Sequence, residues 1–415
     1  MRANTRQTRR YATVLVATAA LATLIAAAVN TRVDPFRVTG APWASKDIDP
    51  YRDISASTRT GKAGLIRSHD DWEVGIFGSS RVISSLDPDA KGWGGKKVVN
   101  LGMPGAFLYE NIAMAEYFLK HEEKARLLVF GIDPGDLTKS IDTRPMVDFM
   151  ASPLNPSGAL DRELRYVFGI STFETSYETL MLQRKKTPGE YNSRGFRDRP
   201  GHGGGGGAAA PGKGQLNFIK NRFVDDARVP PKPRDGTKVH PEKAKQLEAL
   251  MKHCRERGVR LVLFMHPNHV LLQAKSSDLG KAEVPFEVER RALAEMVKAV
   301  NQHQVGEGQV ELWDFYSYHP YNRERVRPIE GEPSALLHWR DLEHFTGDVG
   351  EGMLSIMMGW PIANPDLQGY GDKLTPENVE SRISTLRADY QTYLQNEGKE
   401  DVAWKEKLIT DGLKK

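Results

Sequence analysis

Val74-Gly75-Ile76-Phe77-Gly78-Ser79-Ser80-Arg81 is a short apolar run that stops at a glycine and delivers two serines into a turn. A continuous apolar run closed by Gly is the pattern of a strand covered on both faces. Four further runs repeat it: 97–101 before Gly102, 126–130 before Gly131, 260–265 before His266-Pro267, and 310–315. Helical periodicities lie between them. Leu108, Ile112, Ala115 and Leu119 share one face. The segment 241–257 begins with Pro, ends at Gly258 and carries the stripe Ala244, Leu247, Met251 and Cys254. Residues 287–302 form another helix, and Thr346 is the expected N-cap of one carrying Val349, Met353, Ile356, Met357 and Trp360. This alternation predicts an α/β fold with a doubly wound, parallel, five-stranded sheet.

Outward from this core, the chain changes character at both ends and in the middle. Residues 1–10 carry Arg2, Arg6, Arg9 and Arg10, followed by an uncharged run at 11–29. That run suffices for a membrane-crossing helix, which needs about 20 residues. The arginines put the N-terminus in the cytoplasm and the remainder outside it. A cleaved signal peptide is the rival, with Ala26-Ala27-Ala28 as its small residues; the length of the run favours an uncleaved signal-anchor. Residues 30–70 read as a polar tether and lead-in, 71–365 as the α/β domain, and 366–415 as a helical tail. Within the domain, 141–238 reads as a helical and loop insertion, with a Gly-rich mobile loop at about 196–238 (GHGGGGGAAAPGKG). That glycine run lacks the GKS or GKT of a phosphate loop.

Composition excludes several classes. The 415 residues are 39% hydrophobic and 27% charged, with a formal net charge of +4. No basic stripe marks a nucleic-acid partner. Cys254, the lone cysteine, has no intrachain disulfide partner and reads as a core residue. His266 and His269 lack identifiable third and fourth ligands, so neither a metal nor another cofactor is expected.

Chemistry concentrates at the strand ends, the carboxyl edge where a flavodoxin-like sheet binds ligands. Ser80 follows the first strand on a turn whose backbone N–H groups can hold a developing oxyanion. Asn100 and Gly102 end the second strand. Asp341 and His344, three apart before a helix, can pair so that the acid fixes the tautomer and the imidazole deprotonates Ser80. Arg81 is expected to pair with a carboxylate, Asp133 being the nearest candidate. His338 reads as a rim residue, and Trp339 as a neighbour of His344.

GSSR after the first strand, NLG after the second and DLEHF near the end resemble blocks I, II and V of the SGNH/GDSL hydrolase superfamily. The DPF segment, the order GSSR–NLG–GIDP and the DLEHFTGDVG tail are similar to membrane-anchored SGNH-like proteins of bacterial polysaccharide O-acetylation. The resemblance covers about residues 33–396 outside the loop near 196–238. It implies Ser80 as nucleophile, Gly102 as an oxyanion donor, and Asp341 with His344 as the block V pair. Two positions depart from the pattern. Ser79 replaces the acid of GDS, and Asp133 stands where block III offers an Asn amide. Asn100 or Asn268 is then the candidate replacement donor, and Asp133→Asn would restore one if Asp133 occupies the block III position.

The implied activity is that of a serine esterase or O-acyltransferase in the periplasm or at the cell surface. Its substrate would be an acylated, chiefly O-acetylated, glycan, with envelope polysaccharide machinery as a partner. The competing class is a non-catalytic glycan-binding or assembly protein on the same scaffold, motivated by Asp133 and by the missing block I acid. A plain envelope tether that uses 141–238 as its interaction surface is a third reading.

Overall fold

The computed structural model describes residues 2–138, 147–198, 213–228, 238–276, 285–302, 308–328, 336–362 and 364–414. They divide into two compact units, one of residues 1–70 with 145–199 and one of 71–144 with 200–415.

The second unit is α/β. Its strands are β1 (Val74–Phe77), β2 (Val98–Asn100), β3 (Leu127–Ile132), β4 (Arg260–Met265), β5 (Val310–Asp314) and β6 (Asp372–Lys373), in the spatial order β2-β1-β3-β4-β5-β6. The first five run parallel, in register from Ile76 opposite Val129 to Phe264 opposite Trp313. The sheet therefore has six strands rather than five. β6 is antiparallel and lies in the stretch read as tail. With only two residues it carries no periodicity to read. It is placed by Leu374 N–H donating to Leu312 O at 2.8 Å and by Arg382 pairing with Asp372 at 2.6 Å.

Both faces of the sheet are covered. Val74, Ile76, Val129, Val262 and Phe264 join one apolar cluster with residues of three helices, α7 (Lys213–Arg228), α11 (Gly347–Met358) and α13 (Gly398–Leu413). On the other face Phe77 stacks on Phe130 and meets Phe118 of α3 (Leu108–His121) edge-on at 5.7 Å. α8 (Pro241–Glu256) packs on α3 and β4, and α10 (Pro285–Gln302) on β5. α9 (Val270–Ser276) and α12 (Val379–Gln395) complete this unit's helices among the described residues. Cys254 is buried on α8. Within the stretch read as a mobile loop, 213–228 is helical; the rest of the Gly-rich run, 199–212, and 229–237 lie outside the described residues, as do 139–146 of the insertion.

The first unit contains α1 (Arg2–Val33), α2 (Thr58–Arg67), α4 (Val147–Ala151), α5 (Ala159–Phe168) and α6 (Ile170–Lys185). Residues 30–70 do not form a bare tether. They are ordered where Arg37 and Arg52 converge on Asp49 and Arg52 donates to Val33 O and Ser45 O at 2.8 Å each, and they join the helices of the insertion where Arg67 pairs with Glu163 at 2.9 Å. Burial raises the Asp49 pKa, but the two guanidiniums outweigh it and hold the carboxyl below its ordinary range. Within α1 the segment Gln7–Val33 contains an 18-residue stretch of mean hydropathy 2.3 and is long and apolar enough to cross a membrane.

A fully buried ion pair ties α10 and α12 to β5. Arg290 donates to Asp314 at 2.8 and 2.9 Å, and Arg382 adds a contact at 3.3 Å. Burial raises the Asp314 pKa, and the two guanidiniums more than reverse this. A carboxyl with a depressed folded pKa contributes stability in full above its unfolded value, about 3.9. That contribution is lost as pH falls through the lower folded value. Asp314→Asn leaves Arg290 buried without its counter-charge, which costs about 3–5 kcal/mol. The variant should unfold at lower urea at neutral pH, and the gap to the parent should narrow in acid.

Candidate functional site

β1 ends at Gly78, whose φ of +147° suits glycine and turns the chain sharply before Ser80. Ser80 is partly exposed there. Its hydroxyl lies 2.7 Å from His344 Nε2, across a sequence separation of 264 residues. His344 Nδ1 lies 2.8 Å from Asp341 Oδ2, and Asp341 Oδ1 accepts the backbone N–H groups of Glu343 and His344 at 2.7 and 2.8 Å. Burial raises the Asp341 pKa, but the hydrogen bonds from His344 and the two amides outweigh it and keep the acid ionised. An ionised Asp341 accepts a hydrogen bond from Nδ1–H and so keeps the proton on Nδ1, which leaves Nε2 as acceptor for the serine hydroxyl.

The segment carrying Asp341 and His344 is a narrow loop closed by an antiparallel bridge between Trp339 and Phe345. Both of those side chains are fully buried, and Trp339 Nε1 donates to Tyr321 O at 2.6 Å. Thr346 stands at the N-cap of α11 as expected, but its hydroxyl donates to His338 O at 3.0 Å instead of capping the helix. The loop is tied to the turn beyond Ser80. Ser85 Oγ donates to Phe345 O at 2.6 Å, and Arg340 donates to Ser84 O at 2.8 Å and to its hydroxyl. From α7, Gln215 donates to Trp339 O at 2.7 Å and accepts from Leu336 N–H at 2.9 Å. Sequence reasoning missed Gln215 and Arg340. The signal for α7 was present in Leu216, Ile219 and Phe223, spaced for one helical face, but the neighbouring glycine run hid it.

The other candidates divide. Asn100 is fully buried and spends its amide on Val82 O and Leu86 O, at 2.8 and 2.9 Å. Gly102 N–H donates to Asn100 Oδ1 at 3.1 Å. Both shape the turn, so the reading of either as a free oxyanion donor is revised. Asp133 accepts from Arg81 Nε at 2.9 Å, the pairing expected for Arg81. Arg81 also donates to Pro267 O at 3.2 Å and to Asn268 Oδ1. This fixes the Asn268 amide with its oxygen toward Arg81. Among the described residues, Asn268 Nδ2 and the Ser80 N–H make no hydrogen bond.

His266 is fully buried against Phe264 and Phe345, with Nε2 at 3.7 Å from Asp133 Oδ1. Burial drives its pKa down to about 3, so it is neutral. His269 uses both ring nitrogens, one toward Glu324 O at 2.5 Å and the other accepting Leu271 N–H at 3.2 Å. His338 pairs with Asp348 at 2.7 Å. Among the described residues no three His, Cys, Asp or Glu side chains gather to hold a metal.

Gln215→Ala should leave Trp339 O and Leu336 N–H without partners in a buried setting. One such unpaired group costs about 1–3 kcal/mol. A lowered urea midpoint, with His344 ring resonances broadened by loop motion, is the expected result. An unchanged midpoint would show that the loop does not depend on α7. No family model and no curated protein matches this chain.

Proposed function

We propose that the chain is a membrane-anchored serine esterase or O-acyltransferase on an SGNH scaffold. Its substrate class is acylated glycan outside the cytoplasm. The observation that carries this reading is the continuous relay from Ser80 Oγ to His344 Nε2 at 2.7 Å and from His344 Nδ1 to Asp341 at 2.8 Å. The order β2-β1-β3-β4-β5 supports the scaffold, since it is that of a flavodoxin-like sheet. Ser80 follows β1, the strand beside which that order reverses. The GSSR, NLG and DLEHF segments support the superfamily, and α1 with its arginine-rich start supports export.

In the mechanism, Ser80 Oγ attacks an ester carbonyl while His344 Nε2 takes its proton. The Ser80 N–H and Asn268 Nδ2 donate to the oxyanion that forms. The tetrahedral adduct collapses, the C–O bond to the alcohol breaks, and His344 returns the proton to the leaving oxygen. The acyl group on Ser80 then passes to water, giving an esterase, or to a sugar hydroxyl, giving a transferase. His344 acts as base for either acceptor. His344 must be neutral to act as base, and the ionised Asp341 holds its Nδ1–H so that Nε2 faces the serine. The pairing of Asp133 with Arg81 favours a second reading, in which the scaffold binds glycan without turning it over.

A fluorophosphonate probe separates the two readings. The purified full chain should label, and Ser80→Ala and His344→Ala should each abolish labelling; an unlabelled parent chain means that the glycan-binding reading holds. Asn268→Ala should lower kcat about 10²–10³-fold, the usual worth of one oxyanion donor. Asp133→Asn should bring no gain in rate, because the carboxylate serves Arg81; a clear gain would return Asp133 to the oxyanion position.

Topology is tested separately. A reporter that is active only outside the cytoplasm, fused after Lys415, should be active. Activity of a strictly cytoplasmic reporter at that site would overturn export.

A further inference from the structure

We propose that α5, the α5–α6 corner and Trp43 form a face that rests in the outer interfacial layer of the same bilayer that α1 crosses. The inference depends on that crossing. Its first ground is an apolar stripe that α5 leaves bare. Leu160, Leu164 and Phe168, spaced i, i+4, i+8 on one stripe, are 76%, 48% and 44% exposed, and Ile170 at the corner is 76% exposed. The opposite face is buried, with the Tyr166 ring in an apolar cluster with Phe36 and Val38. Arg162 donates to Asn155 O at 2.9 Å and to Ser157 O at 3.1 Å, and the Tyr166 hydroxyl donates to Ala151 O at 2.7 Å. The stripe itself stays bare, with the exposed Asp161–Arg165 pair beside it, and a contiguous apolar stripe of this kind marks a contact surface.

The second ground is position. Leu21, Leu24 and Ile25 of α1 are exposed, and burial becomes complete at Asn30. Asn30 donates to Val167 O at 3.0 Å and to Gly169 O at 3.2 Å, and accepts from Ser176 Oγ at 3.1 Å. The α5–α6 corner is thus fastened to α1 at the level where the helix leaves its bare apolar section.

The third ground is Trp43, an exposed indole held at that same level. Its Nε1 donates to Thr31 Oγ1 at 3.2 Å, and its carbonyl accepts from Arg32 at 2.8 Å. Trp concentrates at membrane–water boundaries because its ring is apolar and its N–H polar. An amphipathic helix lying in the interface buries its apolar side chains about 5–10 Å into the headgroup and acyl boundary. The occupant of the stripe is therefore lipid.

The test uses the full chain in liposomes. An environment-sensitive fluorophore is placed at Leu164→Cys, with Phe168→Cys as a second position and Leu21→Cys and Lys185→Cys as references. Some of the lipid carries a nitroxide shallow on its acyl chain. Labels at 164 and 168 should emit at shorter wavelength and be quenched by the nitroxide lipid, while the label at 185, far along α6, stays water-like and unquenched. A water-like label at 164 overturns the proposal. So does a shielded label that the lipid does not quench, which would mean a protein partner covers the stripe. If 21 is quenched and 164 is not, only this inference fails; if 21 is also unquenched, the crossing of α1 fails with it.

Discussion

A set of side chains that hold main-chain carbonyls brings Ser80 and His344 together. The 339–345 loop does not lie in the sheet or in a helix. Its path is fixed by Ser85 on Phe345 O, by Gln215 on Trp339 O, and by Arg340 reaching back to Ser84. Each bond is worth only about 1 kcal/mol net, yet leaving a buried carbonyl unpaired costs more than the bond supplies. The three contacts therefore stand or fall together. The buried Trp339 and Phe345 anchor the two ends of the loop, so the imidazole between them has little freedom to drift from the serine.

The electrostatics of the carboxyl edge follow from burial. Asp133 faces Arg81, and His266 beside it is neutral because no water reaches its ring. Asp341 is ionised because amides and the imidazole surround it. The acid that faces His344 is thus a single fixed charge, while the second acid at this edge is compensated by a guanidinium. Arg81 also connects the end of β3 to the loop after β4, so a change at Asp133 would be felt at Asn268.

The strand ends were legible because apolar runs closed by Gly or Pro leave a strong mark, and the relay was legible because Ser80 follows one such end while Asp341 and His344 stand three apart just before a helix. What the sequence concealed were contacts made to backbone, which any residue can supply. Asn100 and Gly102 carry the right chemistry at the right strand end, yet they bond to each other and to the turn. Spacing alone cannot reveal that a donor is already used. Residues 30–70 looked like a tether because they are polar and turn-rich. Their order comes from Arg37 and Arg52 meeting Asp49, an arrangement with no periodic signature. β6 was unreadable because two residues are too few, and α7 was missed because a glycine run adjoins it.

β6 has a consequence for encounters between copies of the chain. Without it the sheet would end on β5, and the Leu312 carbonyl, which now accepts from Leu374 N–H, would face any passing chain. Asp372 and Lys373 close that margin with two residues only, both held in ion pairs, to Arg382 and Glu311. Asn301 takes up the N–H and carbonyl of Val310 where β6 does not reach. A short, charged margin gives a foreign strand little to pair with. Two copies that collide along this margin therefore find no open strand on which to build a shared sheet.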